Sequence, residues 1–188
     1  MVFRLDKEKA VQASGVLLRL APNFRMSRIR LIKLLYLADR KSLEEKSRPI
    51  TGDRFVAMDH GPVLSGVYDL IKNTHSDPGS WPRHIRNDHN DLVLSSDPAV
   101  SELSRYEVRT LEQIFAKYEN MDDWDFVEHV LHQLPEWIEH KPRPGSSKNI
   151  PVRDVLQAIG CSDIEGILKE AADELKLDRF WQRVTRVT

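Results

Sequence analysis

The sequence is nearly free of cysteine, and its single residue, Cys161, excludes an intramolecular disulfide and with it a secreted disulfide scaffold. Cys161 follows Gly160 at the boundary of an apolar helix, a setting typical of a structural thiol. No run approaches the roughly 18 apolar residues that cross a bilayer. The first residues, Met-Val-Phe-Arg-Leu-Asp, lack the uninterrupted apolar stretch of a signal peptide. These absences predict a globular protein of the cytoplasm that does not contact a membrane.

Glycine is scarce as well, and none of the eight glycines belongs to a phosphate-binding loop. The nucleophile elbow GxSxG, the HExxH helix and the CxxC pair are also missing. We therefore predict no catalytic residue, no cofactor and a protein that is not an enzyme. His129 and His132 share a face of a predicted helix near Glu128 and Glu136, but a metal site usually needs a third protein ligand. We predict no bound metal, and an enzyme with a metal at these histidines is the weakest alternative.

Neither sign of charge dominates, since the net charge is -1 at pH 7 and the isoelectric point is about 6.7. A protein that gains its affinity from phosphates needs a concentrated basic surface. Arg25, Arg28, Arg30 and Lys33 form the one short basic run. This run keeps open a transcriptional regulator in which residues 25–33 meet DNA, but the balance of charge predicts no specific nucleic-acid partner.

Apolar residues at three- and four-residue spacing predict about seven helices. Phe55 to Met58 is predicted to be a short strand, and a polar turn over residues 88–91 indicates a hairpin. These strands are too short and polar for a buried parallel sheet. The predicted fold class is therefore mainly α with a small antiparallel β-sheet, an α+β fold in which helices pack around short strands. The N-terminal signals of the predicted helices are Asp6, Ser27, Pro62, the Ser104–Glu107 capping box, Asp122, Pro151 and the Ser162–Glu165 capping box.

The second predicted helix carries apolar residues on more than one side. Its main stripe consists of residues at helical spacing, whereas Ile32 and Leu37 lie off that stripe. A helix of this kind is packed by several neighbours, so we predict that it is central. The main stripe contains Leu31, Leu34, Leu35 and Ala38.

The segment Asp59-His60-Gly61-Pro62 is predicted to form a corner between a strand and the third helix. Gly61 permits a backbone turn that other residues avoid, and Pro62 suits the first position of a helix. The N–H groups of that helix start are candidates for holding an anionic group beside His60. A purely structural corner with a polar cap is the commoner outcome, and both interpretations stay open.

Three of the tryptophans are informative. Trp124 lies in a predicted helix and is expected in the core. Trp81 and Trp137 adjoin prolines in predicted loops. A tryptophan in a loop either covers the core or contacts a partner, because tryptophan is enriched at binding hot spots.

The stretch from Lys33 to Lys72 resembles the core of the Panacea domain, the domain of the SocA-like antitoxins and of phage-associated relatives. The resemblance extends roughly over residues 6–160, which predicts a domain over residues 1–160 and a C-terminal helical extension over residues 161–188 packed on it. The residues that carry the resemblance are Lys33, Leu34, Leu35, Tyr36, Pro49, Phe55, Gly61, Pro62, Val63, Tyr68, Tyr118, Trp124, His129 or His132, Trp137, Ile150 and Pro151.

The resemblance implies an antitoxin of a bacterial or phage toxin–antitoxin system, which neutralises a cognate toxin by direct protein–protein binding. A proteolytic adaptor that delivers the toxin to a ClpXP-type protease is the alternative within the same family. Binding energy concentrates in a few residues, and the corner with the Trp137 loop supplies suitable ones. The predicted partner-binding residues are Asp59, His60, Gly61, Pro62, Tyr68 and Trp137.

Overall fold

The structure is a computed structural model that describes residues 3–185, except for the side chains of residues 179 and 182–185. Within that part, helices and short strands alternate along the chain. The helices are α1 (Lys7–Leu20), α2 (Arg28–Lys46), α3 (Ser65–Ile71), α4 (Trp81–His84), α5 (Arg105–Tyr118), α6 (Asp123–His129), α7 (Pro135–Glu139), α8 (Val152–Ala158) and α9 (Ile164–Thr185). The strands are β1 (Arg25–Ser27), β2 (Phe55–Met58), β3 (Gly61–Leu64), β4 (Ile85–Asp88), β5 (Asp91–Leu94) and β6 (Ser147–Asn149).

The strands form two antiparallel three-stranded sheets, with the orders β3-β2-β6 and β1-β5-β4. The predicted α+β class is confirmed, although one sheet was expected and two are present. Residues 140–149, whose composition predicts a linker-like stretch, contain β6, whose Lys148 pairs with Ala57 of β2. The predicted hairpin around residues 88–91 is confirmed as β4 and β5, with Asp88 opposite Asp91.

Side-chain caps determine where several helices begin, as predicted. Asp6 accepts the Lys9 N–H at 3.0 Å and so begins α1, and Ser104 with Glu107 forms a complete capping box at α5. The predicted cap of the last helix is wrong. Asp163, the residue after Ser162, accepts the Gly166 N–H at 2.9 Å. Helix α9 accordingly begins at Ile164.

Helix α2 is the centre of the hydrophobic core, as its apolar residues on several sides predict. Leu35 is fully buried, and the off-stripe residues Ile32 and Leu37 are only 4% and 6% exposed. The helix has neighbours in α1, α5, α8 and β3. Burial on all sides confirms its central position, because each face of the helix has an apolar partner layer.

From Tyr36 to Arg40, α2 carries buried and half-buried polar side chains that have protein partners. Tyr36 donates its hydroxyl to Glu136 Oε1 at 3.1 Å, and Arg40 Nε donates to the same oxygen at 2.8 Å. Asp39 accepts the Thr51 N–H at 2.9 Å and the Thr51 hydroxyl at 2.6 Å. Burial raises the pKa of Asp39 to about 7, although the two Thr51 hydrogen bonds favour its charged form. These bonds satisfy the polar groups that α2 takes into the core.

The first half of α9 packs on the body of the protein. Ala171 is 5% exposed, and Ile164, Ile167 and Leu168 pack against the core. The division at residue 160 stays a prediction, and residues 1–2 and 186–188 of its two parts lie outside the described residues. None of the described helices combines the length and the apolar character that a membrane-spanning helix requires.

Candidate partner-binding cleft

The predicted corner is a β-hairpin and not the start of a helix. Strands β2 and β3 pair antiparallel, with Met58 opposite Gly61, so that Asp59 and His60 form the turn. Gly61 has a φ of 85°, and a Cβ there would lie 3.0 Å from the Cβ of Leu131. Both constraints explain why glycine occupies this position.

The prediction that Pro62 begins the third helix is therefore wrong. Pro62 lies in β3 opposite Ala57, because its fixed φ suits extended backbone as well as a helix start. Helix α3 begins three residues later, at Ser65. The alternative that stayed open, an anion held at a helix start beside His60, is excluded for the same reason, because no helix begins at Pro62.

Trp137 supports the hairpin from the inside and is not a surface contact, contrary to prediction. It lies in α7, which begins at Pro135, and is 3% exposed. Its indole Nε1–H donates to the Met58 carbonyl at 3.0 Å. Its ring stacks on that of His132 with centroids 4.0 Å apart, while His132 Nε2 lies 3.2 Å from the Asp59 carbonyl oxygen. The pair holds two consecutive carbonyls at the point where β2 enters the turn.

Trp124, expected in the core, is the exposed aromatic at this site. It is 56% exposed, and its ring meets the edge of the His60 ring with centroids 5.1 Å apart. Asp122, two residues earlier, caps α6 and accepts the Trp124 N–H. The buried residues of that helix are Phe126 and Val127, and a residue two positions before Phe126 lies about 200° around the helix from it. That spacing is the sequence signal that places Trp124 on the surface.

Trp81, the other predicted loop tryptophan, is 2% exposed and begins the short helix α4. Helices α4 and α7 were not predicted. They span four and five residues, which is too short to display a 3.6-residue period.

A cleft of about 660 Å³ opens beside the hairpin turn. Of the predicted partner-binding residues, Asp59, His60 and Tyr68 line it. Gly61 and Pro62 are buried in β3 and do not. The remaining lining that the site's chemistry depends on comes from Arg28, Ile29, Ile32, Lys33, Ile71 and Lys72.

The cleft contains cations, and one of them is buried. Lys33 is 2% exposed, and its Nζ donates to the Pro62 carbonyl at 2.8 Å. Burial lowers the pKa of Lys33 to about 7, because the low-dielectric surroundings disfavour the ammonium form. Arg28 donates to the His89 carbonyl, but its Nε is buried without a hydrogen-bond partner in the described part of the chain. Lys72 is exposed, with its Nζ 5.7 Å from the Tyr68 ring centroid.

The rest of the basic run is neutralised and does not form the exposed basic patch that the sequence left open. Arg25 forms ion pairs with Asp88 and Asp91. Arg30 pairs with Asp123 at 2.6 Å. The carboxylates come from β4, β5 and α6, which are distant in sequence, so the run alone does not reveal the pairing.

The histidines of α6 and the turn after it do not gather a third ligand. His132 approaches Glu128 at 3.2 Å while stacking on Trp137, and His129 is exposed. In residues 3–185 a different trio has ligand atoms within 4.8 Å of one another, and its members are Glu139, His140 and Asp154. His140 Nε2 lies 2.7 Å from Asp154 Oδ2, a hydrogen bond that ties the end of α7 to α8. The absence of a bound metal stays a prediction, to be checked by elemental analysis of chelator-free protein.

A comparison with models of protein families identifies the family of this chain. The model of the antitoxin SocA-like Panacea domain matches residues 31–138, more than half of the chain. The chain belongs to this family. The match confirms the resemblance seen in the sequence, over a shorter range than residues 6–160. No curated protein and no solved structure was found to match the chain.

The Panacea match covers the hairpin, α3, Trp124 and Trp137. It leaves out Arg28, which begins α2, and Gly145, and both of these residues line the cleft. The site is thus built mainly from the family domain, and residues outside the matched range complete it. Asp59 links the two parts, since its carboxylate accepts the Gly145 N–H at 2.6 Å.

Proposed function

We propose that this Panacea-domain protein is an antitoxin that neutralises a cognate toxin by direct binding at the cleft and its rim. The observation that supports the proposal is the exposed pair of Trp124 and His60 beside a concave surface. Exposed aromatic residues of this kind provide large contact area at small entropic cost and are typical anchors of protein interfaces. The function proposed is binding and not catalysis, as expected from the lack of catalytic motifs.

The fold supports the proposal by presenting the pair rigidly. His60 lies in a two-residue turn, where Trp137 and His132 hold the Met58 and Asp59 carbonyls and the Gly145 N–H holds the Asp59 carboxylate. Trp124 lies in the first turn of a capped helix. A preorganised contact surface loses little entropy on association, so more of the contact energy appears as affinity.

The test uses the open reading frame adjacent to this gene as the candidate toxin. Cells that express it are co-transformed with the parent antitoxin, His60→Ala, Trp124→Ala or the double variant, and growth rescue and co-purification are both measured. We expect Trp124→Ala to weaken binding by at least about tenfold, the equivalent of 1.4 kcal/mol. Circular dichroism confirms that each variant is folded.

Phe180→Ala is the matched control. Phe180 is 57% exposed, like Trp124, but lies on α9 outside the matched domain. If the double variant rescues and binds as well as the parent, the cleft rim is not the contact surface. Lost rescue with lost binding supports direct neutralisation. Lost rescue with retained binding favours the adaptor alternative, because a second partner such as a ClpXP-type protease is then the one that is missing.

A further inference from the structure

The charges of the cleft are not balanced within it. Arg28, Lys33 and Lys72 line it, and none of them forms an ion pair with a carboxylate among the described residues. The one carboxylate in the lining belongs to Asp59, which the Gly145 N–H already engages. By contrast Arg25 and Arg30, on the same segment of chain, pair with carboxylates of the protein itself.

Lys33 makes this imbalance significant. Unpaired lysines are common on surfaces, but a lysine is almost never fully buried without a partner. Lys33 is 2% exposed, and the Pro62 carbonyl is the only acceptor that the described residues offer its Nζ. In its ammonium form the Lys33 group has three donors, and two of them then lack an acceptor among the described residues. An anion in the cleft would stabilise this charged form, which burial alone disfavours.

The cleft also has an apolar component. Ile32 and Ile71 are each 4% exposed, and both line it together with the half-buried Ile29. The Tyr68 ring adds an aromatic wall beside Lys72. A ligand that is only an anion would leave this apolar lining wet, whereas a chain with alternating acidic and apolar side chains satisfies both components.

We infer that the cleft binds an acidic segment of the partner protein, which places a carboxylate against Arg28 or Lys72 and an apolar side chain against Ile29 and Ile71. The inference rests on the proposed function for the identity of the partner and adds its chemistry. A protein segment is favoured over a free small anion because the cleft is continuous with the exposed His60–Trp124 rim, which a small anion would not reach. Complementary charge of this kind speeds association and selects the partner.

The first experiment needs no toxin. The full chain, labelled with ¹⁵N, is titrated with a short capped peptide in which Asp and Glu alternate with Leu and Phe. The same titration is repeated with a peptide in which Lys replaces the acidic residues, and with inorganic phosphate. We expect the acidic peptide to shift the amide signals of the cleft lining, its affinity to fall as salt is raised, and the basic peptide to leave these signals unchanged.

Charge-removing variants identify the residues responsible. Lys72→Gln changes an exposed side chain and is expected to leave the fold intact, whereas Arg28→Gln also removes a hydrogen bond to the His89 carbonyl. We expect the double variant to weaken the acidic peptide by about tenfold or more, the lower range of coupling for close charge pairs. Arg109→Gln is the matched control, because Arg109 is exposed on α5 and does not line the cleft.

Each outcome has a defined meaning. Equal shifts with the acidic and the basic peptide, or an unchanged affinity in the Lys72→Gln variant and in the double variant, overturn the inference. If inorganic phosphate causes the same shifts with the same affinity as the acidic peptide, the cleft is a small-anion site, and the inference that it binds a protein segment is wrong.

The toxin separates the inference from the proposed function. If the toxin binds the parent and the double variant equally, the inference is wrong and the neutralisation proposal stands. If the toxin does not bind at all while the acidic peptide does, the chemistry of the cleft is supported and the toxin is not its partner.

Discussion

The two halves of helix α2 differ in the partners that their buried charged side chains have. In the second half, Asp39 and Arg40 have protein partners in Thr51 and Glu136. In the first half, Lys33 is as buried as Asp39 and more buried than Arg40, but among the described residues it has a single backbone carbonyl as partner. The second half of the helix thus satisfies its buried charged groups, whereas Lys33 in the first half has one acceptor among the described residues. Under the proposed function, stability depends mainly on one half and recognition on the other, so a change in one half is expected to leave the function of the other half measurable.

The largest effect should distinguish the two tryptophans at the hairpin. Trp137→Ala is expected to lower the free energy of unfolding by about 3–5 kcal/mol, since a buried aromatic is lost, together with its hydrogen bond to Met58. Trp124→Ala should change stability by less than about half a kcal/mol, because the side chain is 56% exposed. Urea denaturation of both variants measures the difference. Equal losses would mean that Trp124 belongs to the core and that the surface assignment is wrong.

The helix boundaries were more accessible to sequence reasoning than the cleft. Asp6, Ser104 and Asp122 mark helix starts by local chemistry, and local chemistry is legible in sequence. The cleft joins α2, the hairpin turn, α3 and Gly145, and only the tertiary fold brings these elements together. Lys33 shows the same limit, since no pattern distinguishes a buried lysine from one on a solvated helix face.

The next effect concerns Lys33. Its folded pKa of about 7 lies below the ordinary value of 10.5, so the native state binds fewer protons than the unfolded state between these pH values. Stability from this group therefore rises from pH 7 to about 10, and its full cost is present below pH 7. Lys33→Met should raise the free energy of unfolding at pH 7 by about 1–3 kcal/mol, after allowance for the lost hydrogen bond.

The measurement is the difference in stability between parent and Lys33→Met at several pH values, since other lysines and tyrosines cancel in that difference. The gain should shrink as the pH approaches 10. The same variant should bind the acidic peptide more weakly. A variant that is less stable than the parent at pH 7 would show that the buried ammonium is compensated within the protein, and would weaken the contrast between the two halves of α2.

Asp39 should show the opposite pH dependence, with a smaller effect. Its folded pKa of about 7 lies above the ordinary 3.8, so the native state retains the proton that the unfolded state releases. Its stabilising contribution is present below about pH 4 and is lost as the pH rises to 7. Asp39→Asn keeps the shape of the side chain and an acceptor for the Thr51 N–H. Between pH 4 and 7 this variant should lose about 1–2 kcal/mol less stability than the parent. This difference is smaller than the pKa shift alone implies, because the Thr51 hydrogen bonds favour the carboxylate.

Chemical denaturation of the parent and Asp39→Asn between pH 4 and 7 tests this. Parallel stability curves would show that Asp39 is ionised in the fold throughout this range, held by its two Thr51 hydrogen bonds. In that case charge is buried in both halves of α2, and only the presence of partners distinguishes them.

The smallest expected effect is on DNA, and it decides whether the cations of the cleft serve a nucleic acid. Phosphate recognition depends on several basic groups that release counterions together. Here Arg25 and Arg30 are neutralised by carboxylates of the protein, and Lys33 is buried within a cleft whose lining is partly apolar. We therefore expect no sequence-specific binding. The dissociation constant for duplex DNA should be about 10⁻⁶ M or weaker at physiological salt, the non-specific range.

Fluorescence anisotropy with a duplex from the gene's own upstream region measures this dissociation constant, with the acidic peptide as competitor. If DNA binds with a dissociation constant near 10⁻⁸ M, the affinity of specific sites, and the acidic peptide displaces it, the cleft is a DNA-binding site. It would also replace the protein partner by the regulator alternative.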